Sequence, residues 1–125
     1  MNHLHTTLKT LVALCLLACV TLAAAQPRTT NGVLTDEQGM SLYVWDNDLT
    51  VPGKSVCEGP CTITWPPMLA KDGAKASGDY SLLVREDGKT QWTYKGRPLY
   101  HSANDKQPGD HKGDGFRGVW HLVKP

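Results

Sequence analysis

The sequence predicts a mainly β fold: a small single domain of short antiparallel strands, built from two related half-units and preceded by an N-terminal signal peptide. Short apolar segments alternate with Gly- and Asp-rich turns along most of the 125 residues, as in β-dominated domains. No segment shows the periodicity of an amphipathic helix. The segment 39–48 also recurs at 96–105, with Gly, Leu, Tyr, Asn and Asp at matching positions.

The repeat extends past this segment, because Trp65 corresponds to Trp120 once two single-residue gaps are allowed. We therefore predict one domain over residues 32–125. It divides into half-units of about 32–70 and 80–125.

The N-terminal part has the layout of a secretory signal peptide over residues 1–25. A polar start is followed by an apolar run over 11–20 and by alanines that end at Ala25. The run is shorter than the roughly 20 residues that a transmembrane helix needs. Two processing sites are possible. We favour cleavage after Ala25. The alternative is the segment that ends at Cys19, which resembles a lipobox, and there this cysteine would carry a lipid anchor. Residues 26–31 are predicted to be a tether.

The first half-unit is predicted to begin with a short strand at Val33-Leu34. Residues 42–47 alternate between two sets of side chains, which indicates a strand with one aliphatic and one aromatic face. Asp46-Asn47-Asp48 ends this strand, because Asp and Asn side chains satisfy the backbone groups of a turn. A loop follows, and residues 57–67 are predicted to form a compact turn or a single helical turn.

The second half-unit is predicted to contain a hairpin and two further strands. Asp87-Gly88 is a strong hairpin signal, because both residue types tolerate positive φ. We expect the hairpin strands at 80–85 and 90–94, and the later strands at 99–101 and 119–123. A long Gly- and Asp-rich loop separates the last two strands.

Charge and motif content exclude several function classes. Once Lys9 of the signal peptide is set aside, twelve basic residues face twelve acidic residues, and the two signs are interleaved. A nucleic-acid surface needs clustered positive charge, so nucleic acid is not an expected partner. No nucleophile elbow, phosphate loop or zinc-protease motif occurs in the sequence, and we therefore predict a non-catalytic protein.

Several short motifs occur together in one order. Tyr43, Trp45 and Asp48 fit the pattern Y-x-(F/W/Y)-x-x-D, and Tyr100 and Asp105 stand at equivalent positions in the second half-unit. The accompanying motifs are Cys57-Glu58-Gly59-Pro60-Cys61, Trp65-Pro66-Pro67, Gln91-Trp92, Pro108-Gly109-Asp110 and Gly118-x-Trp120-His121. Over nearly all of residues 32–123, the chain resembles the bacterial family of predicted lipoproteins with a Yx(FWY)xxD motif, also called the secreted repeat of unknown function. The resemblance implies an exported envelope protein, often lipid-anchored, with no assigned activity.

Cys57 and Cys61 are the only cysteines outside the signal peptide. In an oxidising compartment, two cysteines this close normally form a disulfide, and the short intervening turn lets their Cα atoms approach. The alternative is a copper or thiol-redox site that uses these two cysteines, Met68 and a histidine such as His101, since thiolate, thioether and imidazole suit copper. The Cys-x3-Cys-x3-Trp-x2-Met spacing matches a dinuclear copper motif except at Trp65, where that motif has histidine.

Two further groups of residues allow both a functional and a structural interpretation. The aspartates of the loop 110–115 suggest calcium. Asp48 and Asp105 are instead expected to accept backbone N–H bonds that fix the turn after each tyrosine strand. The tyrosines and tryptophans are expected in the core. If exposed, they would mark a groove for a glycan, a peptide or a planar cofactor.

These observations predict an exported cell-envelope protein, periplasmic or secreted, that acts as a non-catalytic binding module for an unknown envelope partner or small ligand. The Cys57–Cys61 disulfide would stabilise the domain, and no cofactor is predicted. A lipid anchor at Cys19 would be its only membrane contact. The alternative function is a periplasmic copper or thiol-redox protein. Any specific function is expected where the half-units differ: in residues 57–68, at His101 and in the loop 110–115.

Overall fold

The computed structural model describes residues 25–125, so nearly all of the predicted signal peptide, with Cys19, lies outside the described residues. The strands of this part are β1 (Arg28–Thr30), β2 (Val33–Thr35), β3 (Tyr43–Trp45), β4 (Tyr80–Val84), β5 (Thr90–Tyr94), β6 (Arg97–Pro98) and β7 (Trp120–Leu122). The helical segments are α1 (Cys61–Thr64) and two 3-10 helices, Asp46–Thr50 and Phe116–Gly118. None of the helices in residues 25–125 is long and apolar enough to cross a membrane.

The strand pairs are antiparallel, as predicted, and they form three small sheets with the orders β1-β2, β3-β7 and β4-β5-β6. The β4–β5 hairpin forms at the predicted position, with Leu82 opposite Trp92. Asp87 closes the hairpin loop, since its carboxylate accepts the N–H of Lys89 at 2.9 Å. Of the compact turn or single helical turn predicted for residues 57–67, the structure has the helical turn, as α1.

The segment 26–31, predicted to be a tether, is different in the structure, because Arg28–Thr30 forms β1 and pairs with β2. Asn31 and Gly32 connect the two strands with φ values of 49° and 78°. This is the two-residue turn that Asn-Gly sequences favour. Apolar alternation does not mark β1, because all three of its side chains are exposed.

The strand predicted at 99–101 is also different. β6 covers Arg97–Pro98 only. The backbone N–H groups of the next three residues, 99, 100 and 101, donate to three separate segments, at the carbonyls of Trp92, Tyr43 and Pro66 respectively. Because the hydrogen-bond partner changes at every residue, no continuous ladder forms there. Residues 99–101 thus join parts of the domain that are distant in sequence.

The core consists of two clusters, and β3 lies between them. Tyr43 belongs to the first cluster and Val44 to the second, which confirms the predicted aromatic and aliphatic faces of this strand. The first cluster contains Val33, Tyr43, Cys57, Trp65, Tyr100, Trp120 and Leu122. The second contains Leu34, Leu42, Val44, Met68, Trp92, Leu99 and Val123. Both clusters draw residues from both half-units, so neither half-unit has a core of its own.

Candidate functional site

The two copies of the tyrosine motif meet at the centre of the domain. Tyr43 and Tyr100 exchange backbone hydrogen bonds, N–H to O, at 2.8 and 2.9 Å. The Tyr43 hydroxyl donates to Asp105 Oδ2 at 2.7 Å. In the same way, the Tyr100 hydroxyl donates to Asp48 Oδ2 at 2.7 Å. Each tyrosine is therefore bound by the aspartate of the other half-unit, and we call this arrangement the tyrosine–aspartate cross.

Each aspartate of the cross also accepts a backbone N–H, which is the role predicted from the sequence. Asp48 Oδ1 accepts from Val56 at 2.8 Å. Asp105 Oδ1 accepts from Lys112 at 2.9 Å. One carboxylate thus fixes the loop after its own strand and the tyrosine of the other half-unit. Sequence reasoning missed the second role, because a repeat does not indicate which copy supplies the acceptor.

Burial of the cross keeps both tyrosine hydroxyls in their protonated form. Desolvation raises the pKa of Tyr43, and the hydrogen bond to Asp105 raises this pKa further. Desolvation likewise raises the pKa of Tyr100. Both hydroxyls therefore remain protonated donors across the physiological pH range. Desolvation also raises the pKa of Asp48, although the hydrogen bonds from Val56 and Tyr100 oppose this effect.

A buried arginine, Arg85, connects the cross to the disulfide segment. Its side chain is only 6 % exposed. Nη1 donates to Ser55 Oγ and to Gln91 Oε1, both at 2.7 Å. Nη2 donates to the Cys57 carbonyl at 2.6 Å, and Ser55 Oγ lies 2.6 Å from the Tyr100 hydroxyl. Sequence reasoning missed this residue, because an arginine beside a hairpin turn is typical of the surface.

Cys57 and Cys61 form the predicted disulfide, with an Sγ–Sγ distance of 2.05 Å and a Cα–Cα distance of 5.4 Å. α1 begins at Cys61, so the bond fastens this helical turn to the preceding loop. Cys57 is fully buried in the first core cluster, together with Trp65. The bond therefore joins a surface loop to the aromatic core.

The structure does not bring the four residues predicted for the copper alternative to one place. Cys57 is bonded to Cys61 in the first cluster, whereas Met68 is buried in the second. Met68 and His101 line a common cleft, and there His101 Nε2 lies 2.8 Å from Asp36 Oδ2. Among residues 25–125, no group of three or more His, Cys, Asp or Glu side chains is placed to hold a metal ion.

The loop 110–115, considered for calcium, directs its aspartates toward the backbone. Asp110 Oδ2 accepts the N–H groups of Lys106 and Gln107 at 2.8 and 3.2 Å. The bond from Lys106 is the main reason why the pKa of Asp110 lies below its ordinary value. Asp114 Oδ1 accepts the N–H of Leu122 at 3.0 Å. Both aspartates therefore hold the loop in place.

Three tryptophans stack in parallel along the first core cluster. Trp120 lies between Trp45 and Trp65, with ring centroids 5.0 and 3.9 Å away and interplanar angles of 4°. Tyr43 meets the Trp65 ring edge-on at 5.5 Å. Trp65 and Trp120 are buried, and Trp45 is half-buried. These rings form core packing, as expected, and not an exposed groove.

A cleft of about 300 Å³ opens where the disulfide segment meets the β4–β5 hairpin. We call it the edge cleft, and it is lined by Lys54, Ser55, Val56, Glu58, Val84, Arg85 and Glu86. Val56 and Val84 expose 38 % and 72 % of their surface. Desolvation and a hydrogen bond with Glu86 raise the pKa of Glu58. Because β4 is the outer strand of its sheet, this cleft lies beside a strand edge that no other strand covers in residues 25–125.

Comparison with known proteins identifies the repeat. The family model described as a secreted repeat of unknown function matches the chain twice, at residues 28–68 and 81–124. The matches correspond to the two half-units, and the first begins at β1, inside the predicted tether. Searches of curated proteins and of solved structures found no match.

Proposed function

Because the chain belongs to the family of secreted repeats of unknown function, we propose that it is a non-catalytic binding module of the cell envelope, with the edge cleft as its binding surface. The observation that carries this proposal is the position of Val84, whose side chain is 72 % exposed on an outer strand next to Val56. Apolar side chains exposed beside a concave surface are typical of interaction sites.

The remaining chemistry-bearing groups support a binding role. The hydroxyls of Tyr43 and Tyr100 donate to buried carboxylates, and the two cysteines are bonded to each other. Polar groups that are buried and paired in this way stabilise the fold. Because they are already paired, they are not free to act on a substrate. The edge cleft, by contrast, presents exposed side chains.

The edge cleft also lies where the half-units differ. One wall, residues 54–58, belongs to the first half-unit, and the other wall, residues 84–86, belongs to the second. The segment 110–114, which aligns with the first wall, contains no cysteine. A surface that includes the disulfide segment is therefore available once per chain, and a specific partner would bind with one-to-one stoichiometry.

The family description as secreted supports a location outside the cytoplasm. Membrane attachment through Cys19 is a separate part of the proposal, and the intact mass of protein purified from a bacterial envelope tests it. A chain that begins at Gln26 would support cleavage after Ala25. An acylated chain that begins at Cys19 would support the lipid anchor.

A photo-crosslinking amino acid at position 84, compared with one at position 63, tests the binding surface. Ile63 on α1 is 76 % exposed, so the two positions are matched in exposure, but Ile63 does not line the edge cleft. In exporting cells, we expect a discrete protein adduct at position 84 that is absent at position 63.

The adduct supports the proposal only if the partner, identified by mass spectrometry and purified, binds the wild-type domain saturably. The Val56→Ser variant should weaken that binding, because it removes apolar surface from the edge cleft. Equal adducts at both positions, or no adduct at position 84, would overturn the proposal.

A further inference from the structure

We propose that the edge cleft receives an extended, basic peptide segment of an envelope partner, which adds to β4 as a further strand of the sheet. This inference rests on the proposed function and names the class of partner. Four observations carry it: the free hydrogen-bonding groups of β4, the absence of edge protection, the apolar contact surface, and the charge at one end of the cleft.

The hydrogen-bond register leaves part of β4 unpaired. The Arg85 N–H donates to Lys89 O at 2.8 Å, so Arg85 faces β5. In an antiparallel pair the bonded residues alternate, and Leu82 and Val84 therefore direct their N–H and C=O groups away from β5. No backbone or side-chain partner within residues 25–125 meets these groups. They form a short template for an added strand.

The sequence of β4 does not protect this edge. Natural edge strands are commonly blunted by lysine, by proline or by a bulge. The five residues Tyr80–Val84 include no charged residue and no proline. Only the start of the strand is covered, since Tyr80 exchanges backbone hydrogen bonds with Ser77 at 2.9 and 3.0 Å. The free part of the edge thus reaches the edge cleft at Val84, and it continues away from the cleft at Leu82.

The cleft offers an apolar contact and an acidic end. Val56 and Val84 provide exposed apolar surface for one side chain of an added strand. Glu58 and Glu86 are exposed, and Asp87 adds a third negative charge near Glu58, whereas the positive charges here are Lys54 and the buried Arg85. Desolvation raises the pKa of Glu58, and the neighbouring Glu86 and Asp87 raise it further, although Arg85 opposes this effect. A lysine or arginine of the partner would relieve this repulsion.

A second copy of this chain fits the edge less well. If two β4 strands paired antiparallel about Leu83, the turn that contains Glu86 and Asp87 in one copy would lie near the turn that contains Asp79 in the other. Both turns carry negative charge, and charges of one sign brought close together repel each other. Charge therefore favours a basic peptide over self-pairing.

The test uses three hexapeptides with blocked ends: alternating Val-Lys, alternating Val-Glu, and the Val-Lys peptide with every second backbone amide methylated. Each is titrated into the purified, disulfide-bonded domain while amide hydrogen exchange is measured by NMR. We expect only the unmethylated Val-Lys peptide to bind. At saturation it should slow exchange at Leu82 and Val84 by about tenfold or more, because strand addition pairs these amides.

Variants at the edge and at the acidic end complete the test. Val84→Pro should lower affinity for the Val-Lys peptide at least tenfold, because proline removes an outward N–H and is tolerated at an edge. Val84→Thr, which keeps the N–H, is the matched control. The double change Glu58→Gln and Glu86→Gln should lower affinity roughly threefold to tenfold and reduce its salt dependence.

Each contrary outcome has a defined meaning. Binding without protection of Leu82 and Val84, or binding of the methylated peptide, would overturn strand addition while leaving the edge cleft as a binding surface. Equal binding of the Val-Glu peptide, or no binding of the Val-Lys peptide at millimolar concentration, would overturn the basic class of partner. Concentration-dependent dimers that protect Leu82 without peptide would show that a second copy takes the edge. Failure of crosslinking at position 84 instead overturns the proposed function.

Discussion

Replacing Tyr43 by phenylalanine and Asp105 by asparagine, singly and together, measures the tyrosine–aspartate cross directly. Tyr43→Phe removes a 2.7 Å donor from a buried carboxylate and also removes the acceptor of the Gly113 N–H at 3.2 Å. A hydrogen bond to a charged group contributes about 1.5–3 kcal/mol. We therefore expect a loss of about 2 kcal/mol in the free energy of unfolding. For a domain of this size, that loss lowers the melting temperature by roughly 8–16 °C.

The informative quantity is the coupling energy between positions. Urea unfolding, followed by the fluorescence of the four tryptophans, gives the free energy of each variant. Tyr43→Phe and Asp105→Asn should couple by about 1 kcal/mol or more, since these side chains touch. Tyr43→Phe and Asp48→Asn, which belong to the same motif copy, should add within about 0.5 kcal/mol.

The control is Tyr94→Phe, because the Tyr94 hydroxyl makes no hydrogen bond within residues 25–125 of the structure. It should change stability by no more than about 0.5 kcal/mol. Stronger coupling of Tyr43 to Asp48 than to Asp105 would refute the crossed arrangement. So would a Tyr43→Phe variant as stable as the wild type.

Three further predictions concern a close approach, the disulfide and acid stability. Gly113→Ala should destabilise the domain by about 1–3 kcal/mol in thermal unfolding, since a Cβ there would lie 2.7 and 2.8 Å from ring atoms of Trp65; an unchanged melting temperature would contradict this packing. Replacing both Cys57 and Cys61 by serine should lower the free energy of unfolding in urea by about 2 kcal/mol, which corresponds to the entropy of closing so short a loop. Non-reduced peptide mapping of the wild type should recover the two cysteines as a linked pair. Burial raises the pKa of Asp48, so the folded domain binds a proton there more tightly than the unfolded chain does. The stability of the wild type relative to the Asp48→Asn variant should therefore rise as the pH falls toward 3.8, the ordinary pKa of aspartate. Urea unfolding of both proteins at several pH values checks this. A stability of the wild type that falls relative to the variant on acidification would count against it.

Local sequence signals predict the elements that local interactions determine. The β4–β5 hairpin follows from Asp87-Gly88, and the two faces of β3 follow from strict alternation. β1 had a turn signal in Asn31-Gly32, but no apolar side chain marks a strand that is exposed along its whole length. Residues 99–101 fail as a strand because their partners lie in three separate segments, and sequence periodicity does not record such partners.

The candidate site, too, contains features that depend on neighbours in sequence and features that depend on distant contacts. The disulfide between Cys57 and Cys61 depends on proximity in sequence, so the sequence predicts it. The partner of each motif tyrosine, the burial of Arg85 and the position of the edge cleft depend on how the half-units pack. The repeat indicates that the kept tyrosine and aspartate make the same contact twice, but it does not indicate that each tyrosine is bound by the aspartate of the other copy.

The tyrosine–aspartate cross has a consequence for how such a chain arises. A single half-unit would hold a tyrosine without its acceptor and an aspartate without its donor, and two separate copies would supply each other in a two-fold symmetric dimer. The stability of that dimer would depend on protein concentration. Gene duplication and fusion through residues 69–80, which lie between the two family matches, turn the same contact into an intramolecular one. The fused chain then keeps its fold without an encounter between two chains.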